Sequence, residues 1–221
     1  MKISTGVFLM ALVLLAAACV KDPFVEDDNG TFKDTRDNQS YKWVRIGEQI
    51  WMAQNLGWLP SVSPGSTLSE TEPHYYVFDY AGTVTMDAKA AANFTSYGAL
   101  YNWPAARRAC PEGWHLPSDA EWTTLTDILG GAAVAGRKMK SSTGWVGTGN
   151  GVDSVGFNAL PAGGLDHKYG FVGMTYLAAF SSDTENSATT AWYRGLIHTD
   201  SKVNRNNTMK SDGYSVRCVK D

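Results

Sequence analysis

The stretch from Tyr97 to Gly131 constrains the fold more than any other, because it carries its own starts and stops. Pro104 fits the first turn of a short helix running through Ala109, where its missing N–H has no intrahelical partner to lose, and Pro111 with Gly113 prevents that helix from continuing. Ser118 followed three residues later by Glu121 is a capping box, in which each side chain satisfies the other residue's free backbone N–H. Trp122, Leu125 and Leu129 then fall at i, i+3 and i+7, the buried stripe of a second helix that Gly130-Gly131 ends. Trp122 is therefore read as core and Glu121 as a cap rather than a catalytic acid.

The flanking segments read as strands and loops. Tyr41 to Gly47 alternates, with Tyr41, Trp43 and Arg45 against Val44 and Ile46, and Gln49 to Ala53 resumes the pattern, which predicts a hairpin with Gly47 in its turn. Residues 57–73 are rich in Pro, Ser, Gly and Thr and read as an irregular surface loop before a short strand at Tyr75-Tyr76-Val77-Phe78. From Gly136 to Asp200 the chain is rich in Gly, Ser, Thr and Asn with isolated aromatics, which predicts short strands and long loops. The last residues form a turn and a terminal strand with Tyr214, Val216 and Cys218 on one face. The expected class is α+β, with two helices, small antiparallel sheets and a long loop-rich region.

A chain of 221 residues with 43% apolar residues and eight Trp buries a real core, which excludes wholesale disorder. A net charge of -3 without a basic cluster offers nothing to a polyanion, so no nucleic-acid partner is expected.

The N-terminus has a different character. Met1-Lys2, an apolar run from Ile3 to Leu15 and Ala16-Ala17-Ala18-Cys19 read as a secretory signal over residues 1–18, too short to span a bilayer comfortably at ~20 residues. The placement of Cys19 resembles a bacterial lipobox, whose Cys is diacylated and becomes the mature N-terminus. It departs from the usual pattern in carrying Ala16 three places before the Cys, with Leu15 one residue further back. Cleavage by ordinary signal peptidase is the alternative. Residues 19–30, with Glu26-Asp27-Asp28, read as a lipidated acidic tether, and residues 31–221 as a single domain on a chain that carries 18 basic against 22 acidic residues once the leader's Lys2 is gone. The expected membrane contact is through the lipid, since two acyl chains anchor stably where one does so marginally. The expected place is the cell envelope at the outer membrane, with the acidic tether favouring surface display over the periplasmic side.

With Cys19 assigned to lipid, Cys110 and Cys218 remain in a compartment that permits disulfides, and a bridge between them is the simple inference, two buried free thiols being the alternative. The chain-entropy model assigns such a bridge roughly 4 to 5 kcal/mol. No CxxC occurs, and His74, His115, His167 and His198 are scattered without ligand spacing, so neither a metal nor a cofactor is expected.

Several ordered blocks resemble the Fibrobacter succinogenes major paralogous domain family, found largely in secreted proteins and lipoproteins of Bacteroidota. They are Val44 to Leu56, Tyr97 to Trp103, Cys110 to Ser118, Gly156 to Gly163 and Ser215 to Val219. The resemblance implies kinship and no particular activity. More distantly, Trp103 to Trp122 resembles the helix region of C-type lectin-like domains, whose helical Cys pairs with one on the final strand, and Leu116 to Trp122 is similar to the formylglycine-generating enzyme family. By that resemblance, residues 141–200 correspond to the loop region where such folds bind ligands.

The expected function is a non-enzymatic binding or adhesion module for glycans or a surface protein. Its candidate ligand-binding residues are Trp145 and Trp192, as exposed aromatic platforms, and Asp183, Glu185 and Asn186, as hydrogen-bonding groups. The calcium-dependent sugar motifs of lectins are missing, and Asp183 to Asn186 reads as a solvated loop rather than a cation site. A structural or pilus-associated subunit is the runner-up. A formylglycine-type enzyme lacks its paired cysteines, and a two-carboxylate hydrolase among Asp153, Asp166, Asp183 and Glu185 has no spacing to support it. No catalytic residue is assigned.

Overall fold

The computed structural model describes residues 28–221, so the expected leader, the lipidated Cys19 and the tether up to residue 27 lie outside the described residues. The predicted hairpin forms from β2 (Ser40–Ile46) and β3 (Gln49–Met52), joined through Gly47 at φ 60. A side chain at Gly47 would be strained there, and its Cβ would also lie 2.4 Å from the Ile128 side chain. β1 (Asn29–Lys33) adds to β2, and the far side of β3 pairs with β12 (Val219–Lys220), which pairs in turn with β6 (Trp114–His115). The result is a five-stranded antiparallel sheet in the order β1-β2-β3-β12-β6, holding strands from both ends of the described chain.

A second five-stranded sheet follows the order β11-β10-β9-β7-β8, from β7 (Ala162–Asp166), β8 (Gly170–Met174), β9 (Leu177–Glu185), β10 (Thr190–Ile197) and β11 (Asn204–Met209). The expectation of short strands and long loops in this region is corrected, because β9 and β10 form a long hairpin of nine and eight residues. Small residues hid it: Ala178, Ala179, Ser181 and Ser182 are buried with hardly any apolar alternation to signal a strand. The pairing is also not wholly antiparallel, since β7 meets β9 in parallel at Gly163 and Ala178. A small ladder joins β4 (Tyr75–Tyr76) to β5 (Leu100–Tyr101).

Five helices stand among the described residues where the sequence suggests two: α1 (Thr85–Ala90), α2 (Ala92–Tyr97), α3 (Trp103–Ala106), α4 (Asp119–Ile128) and α5 (Ala132–Met139). The two expected ones are α3, capped by Asn102, and α4, whose capping box joins Ser118 and Glu121 in both directions. The class is α+β, and mostly β. α4 is wedged between the sheets: Trp122 lies 4.6 Å from Trp51 of β3 and 5.7 Å from Phe180 of β9, with Leu125 and Leu129 in the same core. Burying an apolar side chain of this kind contributes about 2 to 3 kcal/mol.

A second core gathers Tyr41, Met52, Leu56, Tyr101 and Val216 around the disulfide between Cys110 and Cys218. It also takes in Leu59 and Val62, so the segment expected as a surface loop is pinned by two buried side chains. The terminal segment shows no one-sided pattern, since residues 210–219 are all buried. It runs between elements that cover both faces, bridging Tyr101, Leu165 and Phe180 in turn.

The capping box extends into a clasp on the chain's end. His115 Nε2 lies 2.7 Å from Glu121 Oε1 and Nδ1 lies 2.7 Å from Asp221 Oδ1, so only the imidazolium donates to both. Burial opposes that charge, but the hydrogen bonds and charges of Glu121 and Asp221 outweigh it and raise the His115 pKa above its ordinary 6.5. Burial likewise opposes the Glu121 charge, but the Ser118 and His115 hydrogen bonds hold its pKa below the ordinary 4.5. A raised basic pKa contributes stability fully below the unfolded value, and a lowered acidic one fully above it. The clasp is thus complete between pH 4.5 and 6.5 and fades as pH rises through the folded His115 value. In urea unfolding at pH 6 and pH 8.5, wild type is expected to exceed His115→Gln in stability by more at pH 6; an equal gap at both pH values refutes the clasp.

Candidate functional site

The floor of the candidate site is built on Arg217, which is wholly buried. Its Nε donates to Asn55 Oδ1 at 2.7 Å, Nη1 to the carbonyls of Met52 (3.0 Å) and Phe157, and Nη2 to the carbonyl of Asn158 (2.9 Å). Its planar fork also lies 4.8 Å from the Phe157 ring and 5.5 Å from that of Phe180. Burial pushes the guanidinium down to about 9, with Asp153 working against that shift, so the group is still charged at neutral pH. A buried cation has to be met by acceptors, and here they come from the end of β3 and from the 157–158 segment.

That demand fixes the residues above it. Asn55, its oxygen committed to Arg217, donates its amide to the carbonyl of Tyr97 at 2.9 Å and to Ser215 Oγ at 3.3 Å, tying the end of α2 to the floor. Asn158 sits at φ 52, which Asn tolerates better than most residues, with its N–H bonded to Asp153 Oδ1 at 2.7 Å. Gly98 ends α2 at φ 76, where a Cβ would come 2.8 Å from the Leu56 carbonyl.

Over this floor opens a cleft of about 280 Å³. Gln39 and Gln54 line it from the first sheet's side, Lys89, Phe94, Ser96 and Tyr97 from the helices. Gln54 Oε1 accepts the Lys42 N–H at 2.8 Å, which leaves its NH2 directed elsewhere. The side chains of Gln39, Lys89 and Ser96 make no hydrogen bond among the described residues. Gly57 keeps the wall thin, because a Cβ there would meet the Gln39 amide at 3.2 Å. Its N–H donates to the Tyr41 hydroxyl, and burial raises that phenol well above its ordinary pKa and keeps it neutral. The lining holds four side-chain amides, hydroxyls, the Lys89 ammonium and one aromatic wall, but no carboxylate, imidazole or thiol. Such a surface hydrogen-bonds a polar ligand and offers no carboxylate, imidazole or thiol to a metal ion.

The residues expected from sequence to bind ligand lie elsewhere. Trp145 is corrected from an exposed platform to a core residue, 5% exposed, with its indole N–H on Ser141 Oγ (3.1 Å) and the Ala159 carbonyl (3.2 Å). The other four share the β9–β10 hairpin, and each is engaged within the chain. Asp183 accepts from Arg107 at 2.6 Å, Glu185 from Lys210 at 2.7 Å, and Asn186 closes the turn on Thr190. Trp192 is half-buried, with the Arg205 guanidinium 3.4 Å from its ring centre. The cleft itself escaped sequence reasoning. Its only trace is that Gln54-Asn55, Tyr97-Gly98 and Asn158 all stand inside the recognisable blocks.

Fold and cleft together define an α+β domain with a polar, amide-rich recess that carries one cationic side chain, Lys89. The family model of the Fibrobacter succinogenes major domain matches residues 44–220, and the chain belongs to that family. The matched span includes Arg217, Asn55, Tyr97 and Asn158, whereas β1 and Gln39 precede it. No curated protein and no solved structure was found to match the chain.

Replacing Arg217 tests the floor. Arg217→Lys keeps a cation but cannot serve four acceptors in a planar fork, and it is expected to lower unfolding stability by about 3 kcal/mol, as removing one partner of a buried charge network does. Denaturant unfolding within 1 kcal/mol of wild type, on the order of a single ordinary hydrogen bond, refutes the assignment.

Proposed function

We propose that this chain is a lipid-anchored envelope protein whose domain is a non-enzymatic binding module for a neutral, hydroxyl-rich ligand of the glycan class. The observation that carries the reading is the cleft's lining, in which four amides that both donate and accept converge beside an aromatic wall, with Lys89 as the one charged side chain and no carboxylate or imidazole. Sugar hydroxyls match such amides, and the apolar face of a sugar ring matches Phe94. A C-type lectin-like architecture is part of the proposal. It is supported by the bridge from Cys110, four residues past α3, to Cys218, directly before β12, and by a sheet that holds both β1 and β12.

The second reading, a structural or pilus-associated surface subunit, is favoured by one observation. β11 closes the second sheet as an edge strand, with Arg205, Asn206 and Asn207 exposed, and an open edge is a surface on which another chain adds a strand.

A glycan array on the purified chain, followed by calorimetry, separates the two readings. Gln54→Ala and Gln39→Ala are expected to weaken binding about tenfold each, the loss of one hydrogen bond worth roughly 1.4 kcal/mol, while Trp192→Ala leaves it unchanged. Loss on Trp192→Ala alone moves the site to the hairpin, and a blank array on folded protein sinks the glycan class in favour of protein partners. The anchor has its own test: Cys19→Ala is expected to shift the protein from the membrane fraction to the soluble one, and retention in the membrane fraction overturns lipidation.

A further inference from the structure

A cluster that shares no residue with the cleft lies at the end of β7. Asp166 Oδ1 accepts the backbone N–H groups of Lys168 (2.8 Å) and Tyr169 (3.1 Å), which ties the turn into β8 and leaves Oδ2 without a partner among the described residues. The neighbouring chain is set by paired bonds between Leu165 and Gly213, at 2.8 and 2.9 Å, which bring Asp212 beside Asp166 and His167. The Asp212 side chain is only 1% exposed. Its Oδ1 accepts the His167 backbone N–H at 2.8 Å and lies 2.9 Å from His167 Nδ1, while Oδ2 accepts from the Thr208 hydroxyl. One ligand atom from each of Asp166, His167 and Asp212 lies within 4.8 Å of the other two.

The electrostatics of this corner are incomplete. Two carboxylates stand close together, one of them buried, and among the described residues neither forms an ion pair with Lys or Arg; His167 is the one partner. The phenols of Tyr193 and Tyr214 are raised mainly by burial, with the negative charge of Asp212 and Asp166 adding to the effect. The local field favours a cation, and the donors are already converged on a pair of backbone segments whose register is fixed.

We propose that Asp166, His167 and Asp212 form a binding site for a divalent transition-metal ion. One imidazole nitrogen and two carboxylate oxygens suit Zn²⁺, Co²⁺ or Mn²⁺, whereas Ca²⁺ takes six to eight oxygens and has no use for the nitrogen. The ion replaces the proton between His167 Nδ1 and Asp212 Oδ1, which leaves to solvent, and the Thr208 hydroxyl orients Asp212 from its other oxygen. Three protein ligands leave at least one coordination position for water or an exogenous oxygen.

The test is Co²⁺ titration of the tag-free, chelator-treated full chain, read by visible d–d absorption, with Zn²⁺ calorimetry alongside. The expected result is one saturable site per chain, with binding weakened at least tenfold in both His167→Ala and Asp166→Asn, and unaltered in His198→Ala. Asp166 ends β7 and is only half-buried, so it carries the test where a change at buried Asp212 disturbs folding. Thermal unfolding of each variant without metal confirms that it is folded. Absence of saturable binding by wild type, or less than tenfold weakening in either folded variant, overturns the site.

Discussion

The buried guanidinium of Arg217 is the interaction on which most of this structure converges. Its hydrogen bonds reach Met52 at the end of β3, Asn55 three residues further on and the 157–158 segment, so two stretches far apart in sequence are held to one planar group. Each bond is ordinary in isolation. Their joint weight comes from the alternative, since a charge in this place without acceptors costs several kcal/mol and the acceptors without a donor are left unsatisfied as well. The cleft inherits its shape from that arrangement, because Asn55 and Asn158 cannot turn away without releasing the charge beneath them.

Around that polar node the packing is dominated by rings. Trp51, Trp122, Phe157 and Phe180 lie within 6.0 Å of one another in most pairings, in tilted or edge-on contact, and draw contributions from both sheets, α4 and the 157–158 segment. Phe157 and Phe180 also face the guanidinium, so the aromatic core and the polar node are one unit. A change in the volume of any of these rings reaches the cleft through the backbone of Phe157 and Asn158.

What could be read in the sequence follows from how local each signal is. α4 was readable because its cap and its apolar stripe lie within twelve residues, Ser118 to Leu129. α1 and α2 were not, since Val84 and Ala91 at their N-caps make no side-chain hydrogen bond and neither six-residue helix carries a stripe. The β9–β10 hairpin was hidden by small side chains, and Trp145 was misplaced because composition does not say which of eight Trp residues face outward. The cleft is the extreme case. Asn55 matters through Ser215 and Arg217, about 160 residues away along the chain, and an amide side chain carries no periodicity that would announce such partners. The disulfide partners were readable by elimination alone, whereas the Asp166, His167 and Asp212 cluster depends on a strand register that no local pattern specifies.

The bridge from Cys110 to Cys218 spans 108 residues, and α4, α5 and the whole second sheet lie inside that span. Residues 110–218 therefore form a closed covalent ring, and the residues before Cys110 form an arm about as long as the ring itself. One peptide bond cut anywhere on the ring, including at the exposed Ser187-Ala188 turn between β9 and β10, opens the ring without dividing the molecule. In an oxidising, protease-rich setting the ring would tolerate a first nick as a single body, and only a second cut within it or loss of the bridge would let a piece of it leave.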